Sequence, residues 1–224
     1  MHPSLEIVLD VPARSATAST RRRIGLELGE RLAAAVILCL IMPLLVVVGL
    51  ITIVLSRRSP LIRHERVGRG NNTISVLKIR TMWNHSPAAE LVAPETEVRA
   101  ERFGCRAKLA TDPRITSRFA AVSRRYSLDE LPQLWNVLRG DMALVGPRPL
   151  TRWELELFYG NDAAEVLSMK PGLTGLWQIR GRSRLSYRRR RRLDLFLIRH
   201  WSLRLYLFIL FTTVPKVLLG RDAW

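Results

Sequence analysis

The most apolar stretch of the chain runs from Leu32 to Leu55 without a charged residue. At about 1.5 Å of rise per residue, a helix of that length crosses a hydrocarbon core of roughly 30 Å. Pro43 falls at its centre, where a missing N–H and a fixed φ kink or break a helix. Arg21, Arg22, Arg23 and Arg31 precede the stretch, and Arg57, Arg58, Arg63, Arg66 and Arg69 follow it. Positive charge marks the cytoplasmic side of a membrane segment. A straight span therefore strands one basic cluster, whereas a re-entrant segment turning at Pro43 satisfies both; the pattern alone leaves the two open.

Further along, Val67-Gly68-Arg69-Gly70-Asn71-Asn72 followed by Ile74 to Arg80 predicts a turn and then a short strand, with Lys78 and Arg80 on one face. Residues 84–104 are polar and rich in Ala, Glu and Pro, as in a surface loop or helix. From Asp129 to Leu138, the residues Leu131, Leu134, Trp135 and Leu138 recur at helical spacing, and Pro132 fits only a first turn. That puts Asp129 and Glu130 at a helix N-terminus, where backbone N–H groups favour negative charge. Residues 140–149 and 171–178 are punctuated by Gly and Pro and read as rigid loops. Leu203 to Leu219 is apolar but interrupted by Arg204 and Lys216. It is either a core helix or an interfacial one, with Trp201, Tyr206, Phe208 and Phe211 at the headgroup boundary. Residues 1–23 mix Ser, Thr, Ala, Pro and Arg without periodicity and read as a disordered basic tail. No small-residue cleavage site closes the apolar stretch that follows, so this is not a signal peptide.

Charge narrows the partners. The 224 residues hold 36 Lys and Arg against 19 Asp and Glu, a formal net charge of +17, which favours phosphates, nucleic acid or anionic lipid. Cys39 and Cys105 lie far apart, so no disulfide framework is indicated and a reducing compartment fits. His2, His64, His85 and His200 lack metal-ligand spacing.

Within this basic chain, Arg124-Arg125-Tyr126-Ser127-Leu128-Asp129-Glu130 sets two adjacent carboxylates beside arginines. Opposite charge holds such carboxylates ionised. Gly146-Pro147-Arg148-Pro149 fixes a single arginine in a rigid backbone, suited to bidentate phosphate contact. Lys78 and Arg80, Arg124, and Gln178 with Arg182 add further anion ligands. An acid pair among several cations near a membrane segment points to phosphoryl transfer, with a carboxylate as nucleophile or metal ligand.

Seven ordered motifs extend that reading. They are Glu65-Arg66-Val67-Gly68, Lys78-Ile79-Arg80-Thr81-Met82, Asp112-Pro113-Arg114-Ile115-Thr116, Ser127 to Asn136, Gly140-Asp141-Met142, Val145 to Pro149 and Pro171 to Gln178. Between about Leu32 and Gly220 the chain closely resembles the bacterial sugar transferases, the small monotopic phosphoglycosyl transferases. The Asp112 to Thr116 block and the ending from Trp201 to Pro215 look most like the exopolysaccharide-initiating branch, which uses UDP-galactose or UDP-glucose.

The resemblance implies an α+β, mainly helical, monotopic membrane protein. Its N-terminal segment is a re-entrant helix-break-helix, and amphipathic interfacial helices surround a small cytosolic catalytic core. Residues 1–23 are then the tail, 24–58 the re-entrant membrane helix broken at Pro43, and 59–224 the catalytic domain, at the cytoplasmic face of the bacterial inner membrane. It implies a two-step reaction in which Asp129 attacks the β-phosphorus of a UDP-hexose, releasing UMP. Undecaprenyl phosphate then takes the sugar phosphate from the enzyme. Magnesium is expected on Asp129 and Glu130, with Glu130 also a candidate to deprotonate the lipid phosphate. Lys78, Arg80, Arg124, Arg148, Gln178 and Arg182 are the expected substrate ligands, Arg124 and Arg148 through phosphate oxygens. The expected partners are the UDP-hexose, undecaprenyl phosphate and membrane lipid, without nucleic acid, and the C-terminal third leaves room for homodimer contacts.

Several positions depart from the family pattern. Met42 stands where a serine often precedes the breaking proline. Glu27, Glu30 and Arg31 stand where a Lys-Arg pair and an Asp are common, Tyr206 where Asp is common and Arg180 where a small residue is common. The competing function is a non-catalytic membrane-anchored polyanion-binding or scaffold protein built around Arg188 to Arg192. It gives the acid pair no task and lacks the interleaved aromatics of a stacking platform.

Overall fold

The computed structural model describes residues 18–82, 117–182 and 185–220. The Asp112 to Thr116 motif, Cys105 and the segment 84–104 lie outside the described residues. The first helix, α1, covers Ala18–Ser56. A hairpin follows, β1 (Leu61–Val67) antiparallel to β2 (Thr73–Ile79), closed by a 3-10 turn at Arg69–Asn71. After α2 (Arg118–Arg125) comes a 3-10 segment, Leu128–Gln133, that leads into α3 (Leu134–Arg139). Strands β3 (Ala143–Val145) and β4 (Gly172–Thr174) pair in parallel. Between them lie α4 (Arg152–Glu154), a π turn at Leu155–Tyr159 and α5 (Ala163–Val166). The chain continues through α6 (Leu176–Arg180), α7 (Tyr187–Arg199) and α8 (Leu203–Leu218).

The helix starts follow from local chemistry. Ser117, Ser186 and Ser202 each accept a backbone N–H in the first turn of the helix that follows, as N-caps do. Thr151 and Glu154 form a reciprocal capping box. Side chains from α1, β2, α3, β3, α6, α7 and α8 meet in one core that includes Ala34, Val76, Leu134, Val137, Val145, Ile179, Leu197 and Ile209. A smaller core gathers Val67, Leu150, Leu155, Tyr159 and Val166.

Three expectations change. Helical structure runs unbroken through Pro43, so the helix-break-helix expected there is one continuous helix. A proline removes a single donor, and the apolar residues on both sides keep their other intrahelical bonds. Second, Asp129 and Glu130 lie in a 3-10 segment rather than in the first turn of an α-helix. Pro132 has no N–H to donate in either geometry, and the segment follows directly on the left-handed Ser127. Third, both rigid loops contain a three-residue strand, too short to leave a periodic pattern. Their glycines serve close approach: a Cβ on Gly146 would strike the backbone of Lys170 and Gly172, and one on Gly172 the backbone of Gly146.

In α8 the core alternative holds for one face, and Tyr206, expected at the headgroup boundary, lies in the core instead. Tyr206 and Ile209 are buried in the core, while Leu207, Phe208, Phe211, Val214 and Leu218 are exposed on other faces. On α1, Ala34 joins the core with Leu26, Ala33, Leu38 and Ile41 packed beside it. Val48 and Thr52 are buried further along, but most of the helix surface is exposed: only 11% of its most apolar stretch is buried, unlike a core helix of a soluble protein. It is long and apolar enough to cross a membrane.

The hairpin is locked to α3 by one side chain. Asn136, 1% exposed, accepts the N–H of Leu77 at 3.0 Å and donates to the carbonyl of Ser75 at 2.7 Å. Asn136→Leu leaves both backbone groups of β2 unsatisfied, at about 1–3 kcal/mol per orphaned group. The expected outcome is a lower Tm for the detergent-solubilised protein together with faster amide exchange at Leu77; unchanged values would exclude this role for Asn136.

Candidate active site

Helix α2 ends at Tyr126, and Ser127 then adopts a left-handed conformation, φ 55° and ψ 26°. This reversal turns Asp129 inward, leaving it 9% exposed. Burial foremost, and then the charge of Glu130, push the Asp129 carboxyl up to about 6, against the pull of Lys78 and Arg124. The sequence argument that surrounding arginines hold this group firmly ionised is thus reversed for Asp129, because desolvation exceeds the attraction. It applies to Glu130. Burial opposes the Glu130 charge too, but Lys78, Arg148 and Arg182 outweigh it and hold the carboxyl below its ordinary range.

The expected cations divide into those around the acid pair and those elsewhere. Lys78 Nζ lies 2.9 Å from Glu130 Oε1, delivered by the β2 strand that Asn136 fixes. Arg124, in the last turn of α2, acts on Asp129. Arg182 donates through Nη2 to the Ser127 hydroxyl and acts on Glu130. Arg148 acts on Glu130 as well. Arg80 is directed away: its Nε donates to the Ser59 carbonyl at 2.8 Å and its N–H to Pro60 at 2.8 Å, because the strand ends one residue earlier. Gln178 donates through Nε2 to Leu173 at 3.2 Å, which ties it to β4.

Arg148 has a support that the sequence argument did not identify. Its Nη2 lies 3.6 Å from Oε1 of Glu154, which is 6% exposed. The same Oε1 accepts the Tyr187 hydroxyl at 3.0 Å, and Oε2 is occupied by Thr151 in the capping box. The Arg148 guanidinium also lies 5.2 Å from the Trp177 ring centroid, in cation–π range. Arg190 lies 5.3 Å from the same ring and 4.9 Å from that of Tyr187. Asp194, fully buried, accepts the Tyr159 hydroxyl at 2.7 Å; burial raises its carboxyl to about 7 against the pull of Tyr159, Arg148 and Arg190. Arg66, on the same hairpin face as Lys78, adds its charge beside Glu154.

Three of these residues left a signal in the sequence. Thr151 and Glu154 have capping-box spacing, and Asp194 is a lone acid two residues beyond an unbroken arginine run. That run is not one solvated face: Arg190 is buried, and Arg191 pairs with Asp162 at 3.5 Å and donates to Phe158 at 3.0 Å.

Among the described residues, Arg148 Nε, Arg182 Nη1 and Trp177 Nε1 are buried without a hydrogen-bond acceptor. Buried donors left unmatched are costly, and two of these three belong to the arginines that act on Glu130. The arrangement favours a ligand rich in anionic oxygen. Among the described residues, no three His, Cys, Asp or Glu cluster to hold a metal ion. The acid pair still fits magnesium, which binds through one or two carboxylates and completes its shell with water and substrate phosphates.

Known proteins share this arrangement of sequence. The model of the bacterial sugar transferase family matches residues 22–220. The exopolysaccharide production protein ExoY of Rhizobium meliloti (strain 1021) is 40% identical over 196 residues, covering 86% of this chain and 85% of that protein. The UDP-galactose-lipid carrier transferase of Erwinia amylovora is 43% identical over 191 residues, 84% of this chain but only 39% of that longer protein. The undecaprenyl-phosphate glucose phosphotransferase of Komagataeibacter xylinus is 39% identical over 202 residues, again 86% of this chain and 35% of the relative. Because the family match starts ahead of the apolar part of α1 and ends beyond α8, it takes in the acid pair and every cation around it, and the chain belongs to the bacterial sugar transferase family.

Proposed function

We propose that this transferase moves a sugar 1-phosphate from a UDP-hexose to undecaprenyl phosphate, the first membrane step in assembling an exopolysaccharide or another surface glycan. The observation that carries the reading is the buried Asp129 beside an ionised Glu130, with Lys78, Arg124, Arg148 and Arg182 acting on the pair. An Asp129 oxygen attacks the β-phosphorus, the bond from that phosphorus to the bridging oxygen breaks, and UMP leaves with the electron pair. An oxygen of the lipid phosphate then attacks the same phosphorus and releases the Asp129 carboxylate, giving a diphosphate-linked lipid. Fixed cations suit both displacements, since negative charge accumulates on the phosphoryl oxygens in a site that needs no reorganisation. Asp129 and Glu130 would hold magnesium, which when bound neutralises phosphate oxygens. The names of the relatives support this reading, with galactose or glucose as the sugar.

Partial burial suits Asp129 to its task. A nucleophile titrating near 6 is ionised at neutral pH and more basic than an ordinary carboxylate. The membrane arrangement follows from where α1 is tied. Its first half packs into the core, and its last turn runs into β1 through Pro60, whose carbonyl accepts the Arg80 N–H. Both ends are thus joined to one catalytic body, while much of the apolar surface between them is exposed. Together with the basic residues at both ends, this supports a helix seated in the cytoplasmic leaflet with both flanks on the same side.

Three measurements test the reading. Purified protein with magnesium, undecaprenyl phosphate and UDP-galactose or UDP-glucose releases UMP, and Asp129→Asn abolishes the release; wild-type rates from that variant would remove Asp129 as nucleophile. UMP release falls about tenfold per pH unit below about 6 as Asp129 protonates. Stability responds with the opposite sign: a carboxyl raised above its unfolded value weakens the fold where it is charged, and that penalty declines as pH falls below about 6 toward the unfolded value. Asp129→Asn therefore raises Tm at pH 8, and the gain shrinks by pH 5. For topology, cysteines replacing Gly25 and Arg57 in a chain lacking Cys39 and Cys105 react with an impermeant maleimide only from the cytoplasmic side. Labelling of either from the periplasm would refute the re-entrant arrangement.

A further inference from the structure

Glu27 and Glu30 lie one turn apart on α1, so their side chains leave the helix on one face. Glu30, 6% exposed, accepts the N–H of Leu144 at 3.0 Å and the Tyr206 hydroxyl at 2.8 Å, both on Oε1. Leu144 lies between Ala143 and Val145, the two residues of β3 in register with β4. Its amide therefore faces the edge that β4 cannot reach, and such an edge needs a partner. Glu27 accepts Lys170 Nζ at 2.8 Å on Oε2 and Arg69 Nη1 at 3.4 Å on Oε1. Lys170 directly precedes Pro171-Gly172 at the start of β4. Two carboxylates of the membrane helix thus grip β3, the approach to β4, α8 and the β1–β2 turn. Apolar packing alone tolerates rotation of a helix about its axis, but directed hydrogen bonds to four elements do not.

We propose that Glu30, assisted by Glu27, is a positioning residue for the second half of the reaction: it fixes the orientation of α1, and of the leaflet around it, relative to Asp129. The proposal rests on the transfer reading above. The two substrates arrive by different routes, the nucleotide sugar from solution and the lipid phosphate from the leaflet that holds α1. Arg148, four residues beyond Leu144, has its own supports in Glu154 and Trp177. Loosening Glu30 therefore separates the two half-reactions instead of disabling both.

The full chain in vesicles of phosphatidylethanolamine and phosphatidylglycerol tests this. Exchange of labelled UMP into UDP-galactose or UDP-glucose, without acceptor, reads the first half. Transfer to undecaprenyl phosphate reads the second. In Glu30→Leu, exchange stays within about twofold while transfer falls about tenfold, with a raised KM for undecaprenyl phosphate, as the loss of a charge-assisted hydrogen bond predicts. Glu30→Gln keeps the acceptor oxygen and restores transfer. Parallel loss of both half-reactions, or unchanged transfer, overturns the proposal. If Glu30→Leu does not fold, Tyr206→Phe removes one bond and shows the same selective pattern at about threefold; equal losses or none overturn it. Hydrogen exchange at Leu144 gives an answer independent of turnover. Wild-type protein that exchanges no UMP would sink the transfer reading, and the Leu144 amide would then decide the Glu30 contact alone: faster exchange in Glu30→Leu supports it, unchanged protection overturns it.

Discussion

Two sheets of two strands each hold the site, and among the described residues neither has a third strand to satisfy its open edge. A two-stranded unit is marginal unless its free N–H and C=O groups and its apolar face are covered. Here side chains supply what strands do not. Asn136 pairs with Leu77 and Ser75 on β2, and Glu30 with Leu144 on β3. The strands carry Lys78 and lead to Arg148, so these amide and carboxylate contacts set where the cations stand around Asp129 and Glu130. The end of β1 has one further tie, an isolated bridge in which the Val67 N–H meets the carbonyl of Leu150, beyond β3, at 2.8 Å.

The electrostatics separate two adjacent carboxylates by environment. Asp129 is turned inward and loses hydration, so its proton is held more tightly than in water. Glu130 meets Lys78 directly and stays charged. The same opposition recurs in the support of Arg148. Burial opposes the charge of Glu154, but Arg148, the Thr151 amide, Arg66 and Tyr187 together outweigh it and hold the carboxyl below its ordinary range, while Asp194, deeper and bonded to a phenol, rises to about 7. Glu130 and Arg148 are thus each backed by an oppositely charged side chain that fixes its geometry, the arrangement in which charges need not rearrange around a ligand.

Legibility in the sequence varied with the length of the interaction. The apolar run of α1, the amphipathic α8 and the acid pair were readable because each is a local pattern. The continuous helix at Pro43 and the 3-10 turn at Asp129 were misjudged, since a proline announces a missing donor but not how the neighbouring bonds adjust. Strands β3 and β4 escaped notice because three residues carry no period. Glu154, Trp177 and Asp194 were not recognised as supports of Arg148, because their role depends on partners brought together by folding. Arg80 was grouped with Lys78 by alternation, but its guanidinium reaches the Ser59 carbonyl instead. Glu27, Glu30 and Tyr206 stood out as departures from a family pattern, and the structure joins two of them, Glu30 and Tyr206, in one hydrogen bond.

Ser127 and Arg182 both adopt left-handed backbone conformations, φ 55° and 43°, uncommon away from glycine, and they bond to each other across 55 residues of chain. Local bonds hold part of the turn, the Ser127 N–H on the Arg124 carbonyl and the Glu130 N–H on the Ser127 carbonyl, and the Arg182 contact closes it from a distant segment. Because Arg182 also acts on Glu130, the aim of one carboxylate and the charge of its neighbour depend on a single side chain.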